Sequence, residues 1–556
     1  MISTKENVRQ LVALMKQHGI QNVVLCPGSR NVPITQTILG DDYFNAYSIV
    51  DERSAAFVAL GMIDETGKPA AVCCSSGTAL MNMGSAVCEA YYRALPLLII
   101  SADRPMHLLN RLEGQTIPQA NIFQRTTNLS VDVDDRGKEG NLFANRLINQ
   151  ALIALTSPCS GPVHINIHFD NPIHDFVDES LAEVRKVNIV PVYPTAELYL
   201  PTQAAKDCHK VMVLVGQMPY DKDVCEAVKY LKERGCLVLA EPLSNLGAEI
   251  LDVAHLDMIL KAVDRSEWQS LAPDLLITFG GNIVSKRIKE LLVRFAPKKH
   301  WHISHTFPVK DPDPYDSMTD LFDCKVTDFV ESLSLHIDTL EIDKSYQLLW
   351  SYLENVLPEP KPLHKASSFA YMQKLLTALP EESNLVLGNS SIVRLSMLFD
   401  FPKDTHVFCN RGVSGIDGSL STALGIALKS DRHTYVFIGD LSLLYDMNVM
   451  RQKLPSNMTI VLLNNHGGAI FHEIPALQKA DKAVLDDFIA SSHTISPKGW
   501  AEDNNIVYRR IYDSNELDEC LAPSNLPNLI EIVMDIEEQA DELNHFMRNI
   551  RLNLNN

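Results

Sequence analysis

The stretch 435–471 reads YVFIGDLSLLYDMNVMRQKLPSNMTIVLLNNHGGAIF. A β-branched and aromatic run, 435–438, stops at Gly439-Asp440; a helical stretch, 443–453, follows; a second apolar run, 459–463, stops at Asn464-Asn465. A strand, a helical crossover and a second strand make the two strands parallel and put both carboxyl ends on one edge. Asp440 and Asn465 then converge, with a turn carbonyl near Gly467 as a third oxygen. A few hard oxygen ligands completed by water or phosphate oxygens is how Mg²⁺ is commonly held. The same residues also fit a helix N-cap and a turn, and the stretch alone leaves both readings open.

Outward from this unit the pattern repeats. Short apolar runs at 22–26, 46–50, 70–74, 97–101 and 163–168 predict strands in the first third, with helical segments between several of them. Runs at 211–215, 237–240, 275–279 and 301–304 do so in the middle, and runs at 385–387, 406–409 and 529–533 join the opening pair in the last third. This predicts an α/β protein of mainly parallel sheets flanked by helices. Proline-rich and acidic stretches at 171–206 and 307–362 predict boundaries, giving three domains: 1–180, 181–345 and 346–556. The chain has 556 residues, 46% apolar and 21% charged, which is enough for several cores. No apolar run approaches the ~18 residues of a membrane span. Ser3-x-x-Glu6 reads as a capping box rather than the start of a secretory leader. A net charge of −20 argues against nucleic acid or an anionic membrane as partner. Eleven cysteines without a C-x-x-C suit buried thiols in a reducing cytoplasm.

Ligands of parallel α/β sheets bind at the carboxyl ends of the strands. There the chain carries Pro27-Gly28-Ser29-Arg30, Asp51-Glu52-Arg53, Ser101-Ala102-Asp103-Arg104-Pro105, Gly388-Asn389-Ser390, Asn410-Arg411-Gly412, Ser414-Gly415-Ile416-Asp417-Gly418, Gly439-Asp440-Leu441-Ser442 and Asn464-Asn465-His466-Gly467-Gly468-Ala469-Ile470-Phe471. Glu52 alone reads as a first-turn carboxylate favoured by the helix dipole. There is no P-loop and no G-x-G-x-x-G, and Gly412-Val413-Ser414-Gly415 is not a nucleophile elbow. His302-x-x-His305 supplies only two possible metal ligands.

Gly-Asp followed one crossover later by Asn-Asn resembles the motif by which thiamine-diphosphate enzymes hold Mg²⁺ and the cofactor's diphosphate. The segment from Ser75-Ser76-Gly77-Thr78 to Ser101 looks like that of thiamine-dependent carboligases. Taken together and in order, from Pro27 to Phe471, the motifs resemble the 2-succinyl-5-enolpyruvyl-6-hydroxy-3-cyclohexene-1-carboxylate synthase family of menaquinone biosynthesis, including Leu441-Ser442 where other thiamine enzymes have glycine.

That resemblance implies a three-domain thiamine-diphosphate-binding fold, with a pyrimidine-binding domain at 1–180, a central Rossmann-like domain at 181–345 and a diphosphate and metal domain at 346–556. It implies a transferase that decarboxylates 2-oxoglutarate and adds the succinyl carbanion to isochorismate. Glu52 would hydrogen-bond N1′ of the aminopyrimidine, and Ile416 would support the cofactor's bent shape. Asp440, Asn465 and Gly467 would hold Mg²⁺ or Mn²⁺, and Ser390 would touch cofactor and substrate. Arg30, Arg104, Arg394 and Arg411, with Lys286 and Arg287, would take the substrate carboxylates; Gln115 would hydrogen-bond substrate; Ile470 and Phe471 would form an apolar wall. The active sites would lie between subunits of a homodimer or a dimer of dimers. The rival readings are another thiamine-dependent carboligase or 2-oxoacid decarboxylase, and a cofactor-free binding or regulatory subunit.

Overall fold

The computed structural model describes residues 1–134, 137–157, 160–189, 200–304, 313–362, 367–472, 474, 476–512, 514–534 and 545–552. Parts of both expected boundary stretches, and His305, lie outside the described residues. Three parallel sheets carry the chain, in sequence order. By internal contacts it divides into two units, 1–192 with 410–431 and 445–455, and 193–409 with 432–444 and 456–556.

The first unit holds a six-stranded sheet in the order Asn45–Ser48, Asn22–Leu25, Ala70–Cys74, Leu97–Asp103, Val163–His168, Leu129–Val133. Every pairing in it is parallel. Its central strands are continuous apolar runs because both faces are covered. One face buries Leu11, Leu14, Ile148 and Leu152 from helices Glu6–Gln17 and Gly137–Thr156.

Within the same unit, helix Glu52–Thr66 crosses helix Ser419–Ala427 at backbone distance. A Cβ on Gly61 would lie 1.9 Å from the Thr422 carbonyl oxygen, and one on Gly425 would lie 2.0 Å from that of Val58. Asp446 ties the pair together: its carboxylate accepts from the Ser421 backbone N–H and hydroxyl, both at 2.7 Å, and from the Ser54 hydroxyl of the other helix at 3.5 Å. Burial pushes the Asp446 carboxyl up to about 6.

The second unit holds two sheets. One runs Leu237–Ala240, Val211–Val215, Leu275–Phe279, Lys299–Ile303, Asp320–Phe322. The other runs His406–Phe408, Asn384–Leu387, Thr434–Gly439, Met458–Asn464, Asn528–Val533, Val507–Ile511. Both are parallel throughout.

Two local expectations are corrected. Ser3 lies in a short strand, Ile2–Ser3, antiparallel to Phe176–Val177. Its hydroxyl accepts from the Lys5 N–H, and the helix begins at Glu6 with no side-chain cap. The expected helix 443–453 is instead a helix Asp440–Tyr445 followed by a 3₁₀ turn Met447–Arg451. Among the described residues no helix is long and apolar enough to cross a membrane.

Candidate active site

In the second unit, strands Thr434–Gly439 and Met458–Asn464 pair in register up to Gly439 opposite Leu463, so their carboxyl ends are neighbours. Asp440 opens its helix and is buried. One of its oxygens accepts from the Leu441 N–H at 2.7 Å, the other from the Gly467 N–H at 2.9 Å. The Asn465 side-chain oxygen accepts from the same Gly467 N–H at 3.3 Å. Asp440, Asn465 and Gly467 are thus brought together. Burial raises the Asp440 carboxyl above the usual carboxylate range. Among the described residues no three His, Cys, Asp or Glu side chains cluster as metal ligands. The candidate set is instead a carboxylate, a carboxamide and a main-chain carbonyl. Such a hard oxygen set, around a desolvated carboxylate that a cation would relieve, would fit a divalent cation.

Two supports of this turn escape sequence reading. His493 brings its Nε2 to 3.3 Å from Asp440. Glu531, fully buried, accepts from Asn464 Nδ2 at 2.7 Å and from Ser496 Oγ at 2.8 Å, and from the Tyr508 hydroxyl. Neither belongs to a local motif; strand pairing alone makes Glu531 a neighbour of Leu462.

Strand Asn384–Leu387 lies on the other side of Thr434–Gly439. Ser390 follows it on the same edge, with φ 72°, and opens helix Ser391–Ser396, on which Arg394 is exposed. Ile470 and Phe471 are half-buried in a 3₁₀ turn, Ala469–Phe471, whose preceding Gly468 N–H donates to the Ala490 carbonyl. Lys286 and Arg287 belong to the other sheet of this unit, at the start of helix Lys286–Arg294. Lys286 is exposed, and Arg287 is ion-paired with Asp257.

The remaining candidates lie in the first unit. Asp51 caps helix Glu52–Thr66 through the Ser54 N–H at 3.1 Å, which fixes Glu52 in the first turn. Glu52 lines a cavity of about 450 Å³ with Val50, Asp51, Arg53, Asn82, Asn448 and Arg451. Burial raises its carboxyl, and Asn82 Nδ2 approaches Glu52 Oε2 at 3.5 Å. A half-buried acid with raised proton affinity, facing a cavity, suits a partner that shares its proton. Arg30 is buried, with Nε donating to the Asp103 carbonyl at 3.1 Å and a second nitrogen donating to that of Phe169. Arg104 is half-buried and donates through Nε to the Gly114 carbonyl at 3.0 Å. The backbone of Gln115, at φ 57°, rests on Gly77, where a Cβ would meet Gln115 Cα at 3.1 Å. Arg411 is buried in a turn whose next two N–H groups, Gly412 and Val413, each donate at 2.8 Å to the buried carboxylate of Glu89. Ile416, three residues before that turn passes into helix Ser419–Ala427, is half-buried.

Residues 6–127 match the family described as "Thiamine pyrophosphate enzyme, N-terminal TPP binding domain", and residues 203–351 match "Middle domain of thiamine pyrophosphate". A 2-succinyl-5-enolpyruvyl-6-hydroxy-3-cyclohexene-1-carboxylate synthase of Phocaeicola vulgatus is 37% identical over 99% of this chain and 99% of its own length. Enzymes of that name from Bacteroides fragilis and Flavobacterium johnsoniae are 38% and 34% identical, over 96% and 94% of this chain and 96% and 95% of theirs.

Proposed function

The chain belongs to the 2-succinyl-5-enolpyruvyl-6-hydroxy-3-cyclohexene-1-carboxylate synthases, thiamine-diphosphate-dependent transferases of menaquinone biosynthesis, and from that premise we propose how its own residues divide the work. The substrates are 2-oxoglutarate and isochorismate, and the products are the cyclohexene carboxylate and CO₂. The observation that carries the reading is the convergence of Asp440 and Asn465 on the Gly467 turn at neighbouring strand ends.

Asp440, Asn465 and the Gly467 carbonyl would hold a divalent cation, Mg²⁺ or Mn²⁺, and so help retain the cofactor. Bound thiamine diphosphate supplies the stabilised carbanion that a protein side chain cannot. Glu52 holds the proton at N1′ of the aminopyrimidine, and its raised proton affinity supports that task near neutral pH. Ile416 supports the cofactor's shape. Ser390 contacts cofactor and substrate, and Gln115 hydrogen-bonds substrate. Ile470 and Phe471 exclude water from the reacting carbon.

Both substrates carry two carboxylates, so fixed cations are needed in a protein of net charge −20. Arg30, Arg104, Arg394 and Arg411 supply them, with Lys286 and Arg287 from the central region. A guanidinium fork matches a carboxylate bidentately. Arg30 donates to protein acceptors through Nε and both terminal nitrogens and Arg287 is ion-paired with Asp257, so their share in substrate binding is the smaller one, whereas Arg104 donates to the Gly114 carbonyl through Nε and keeps its terminal nitrogens for a carboxylate. We assign 1–180 to the pyrimidine, 181–345 to the central domain and 346–556 to the diphosphate and metal, in a cytoplasmic homodimer or dimer of dimers with sites between subunits. Release of CO₂ from 2-oxoglutarate, assayed with and without isochorismate, tests the function. Turnover that requires isochorismate supports it. Turnover of pyruvate in preference to 2-oxoglutarate would favour the alternative, another thiamine-dependent carboligase or 2-oxoacid decarboxylase.

A further inference from the structure

Beneath the Arg104 turn lies a buried polar chain whose proton positions can be deduced from one unambiguous donor. The Gly77 backbone N–H donates to Gln119 Oε1 at 2.7 Å, which fixes the orientation of that amide. Gln119 Nε2 then donates to Asn166 Oδ1 at 2.8 Å, where the Ser101 hydroxyl also donates at 2.7 Å. Asn166 must therefore turn its two N–H bonds the other way, to Asp103 Oδ2 at 2.9 Å and Asp132 Oδ1 at 2.7 Å. His168 is the last member. Its Nε2 lies 2.9 Å from Asp132 Oδ1, and its Nδ1 meets the carbonyl oxygen of Arg104. Asn166 Nδ2 also lies 3.2 Å from Nε2, but its two N–H bonds already point to Asp103 and Asp132; facing the Asp132 carboxylate and the Arg104 carbonyl, both ring nitrogens therefore carry protons.

We propose that His168 is a positioning residue for Arg104: as an imidazolium it clamps the Arg104 main-chain carbonyl and so aims that guanidinium at a substrate carboxylate. This rests on the reading of Arg104 as a substrate-binding residue. The peptide is gripped from three sides. The Arg104 N–H donates to Asp103 Oδ1 at 2.7 Å, the carbonyl before it accepts from Arg30 Nε at 3.1 Å, and the carbonyl after it accepts from His168. Arg30 thereby serves the same turn.

The charged and titratable groups around His168 are Asp103 and Asp132, with neutral His164 beyond Ser101 and Asn166, and Arg30 and Arg104 beyond the peptide. Against the penalty of burial, the hydrogen bond to Asp132, the Arg104 carbonyl and the two carboxylates raise His168 to about 9. A group raised in this way keeps its contribution at lower pH and loses it as pH climbs through that value.

The test uses the enzyme loaded with thiamine diphosphate and Mg²⁺, with KM and kcat measured for 2-oxoglutarate and for isochorismate. Arg104→Ala identifies the substrate whose KM depends on that guanidinium. His168→Gln should raise the same KM by about tenfold, as loss of one charged contact would, with kcat within about threefold and cofactor affinity unchanged. In the double variant His168→Gln should add nothing to Arg104→Ala. An effect of His168→Gln that persists in the Arg104→Ala background, or no effect on that KM, overturns the clamp. Should Arg104→Ala alter neither KM, the substrate reading of Arg104 falls and the clamp with it. Asp132→Asn keeps an acceptor and removes the charge, so it decides the matter even where His168→Gln fails to fold. Wild-type KM should be flat across neutral pH and rise near pH 9, and Asp132→Asn should bring that rise to lower pH. An unshifted profile overturns the proposal.

Discussion

Glu52 is an ordinary first-turn carboxylate by position and an unusual one by environment. Its helix would favour the anion, yet burial raises its proton affinity. Glu52→Gln preserves size and one hydrogen bond but cannot hold the proton. Turnover should fall by about 10²–10⁴, the range for a positioned acid–base group, with the fold intact. Steady-state rates with a far-UV spectrum of the variant check this, and near-wild-type turnover would remove Glu52 from the chemistry. The arginines make a second claim at this scale. If the arginines bind the substrate carboxylates as proposed, a 2-oxoacid without the distal carboxylate leaves a guanidinium without its partner. A charged hydrogen bond contributes ~1.5–3 kcal/mol net, and stranding the charge costs more. The preference for 2-oxoglutarate over 2-oxovalerate, matched in chain length, should therefore be about 10²-fold or greater in kcat/KM. Equal use of the two as donors to isochorismate would end the case for a dicarboxylate enzyme.

Among the elements, the crossing of helices Glu52–Thr66 and Ser419–Ala427 depends on two missing methyl groups. On Gly425 an added Cβ would meet backbone atoms, the Val58 oxygen at 2.0 Å and Gly61 Cα at 2.9 Å, and neither can turn away. Gly425→Ala should lower stability by at least about 1–3 kcal/mol, seen as a fall in the urea midpoint. Gly499→Ala, where nothing lies within 4 Å, is the control and should not lower it. The strands that position the site were legible because central parallel strands are unbroken apolar runs, as at Ala70–Cys74 and Met458–Asn464. Three strands of the parallel sheets were not. Leu129–Val133, Asp320–Phe322 and Val507–Ile511 each form a sheet edge, and each carries charge, down to the exposed Arg509 and Arg510. An edge strand with a polar face loses the apolar signal that reveals its neighbours. The site divides in the same way. Asp440 and Asn465 were readable because one crossover aligns them. The grips of Glu89 on the Arg411 turn and of His168 on Arg104 join residues far apart in sequence, by contacts no local pattern encodes.

At the scale of the molecule, the carboxylate proposed for catalysis and the one proposed for the metal belong to different parts of the chain. Glu52 falls in the first unit and Asp440 in the second. The proposed homodimer joins Glu52 of one subunit with Asp440 of another, which predicts complementation. Asp440→Ala removes the proposed charged metal ligand and should weaken retention of thiamine diphosphate and its Mg²⁺ dependence more than it weakens folding. Glu52→Gln should retain the cofactor and lose turnover. Each homodimer is then inactive for its own reason. After subunit exchange, a mixed dimer has one site with both lesions and one with neither, so part of the wild-type activity should return. Exchange is followed independently with differently tagged chains, and activity is measured on the doubly tagged fraction. If that fraction stays inactive while still binding one equivalent of cofactor per dimer, each site is built within a single chain and the proposed division of labour between subunits is wrong.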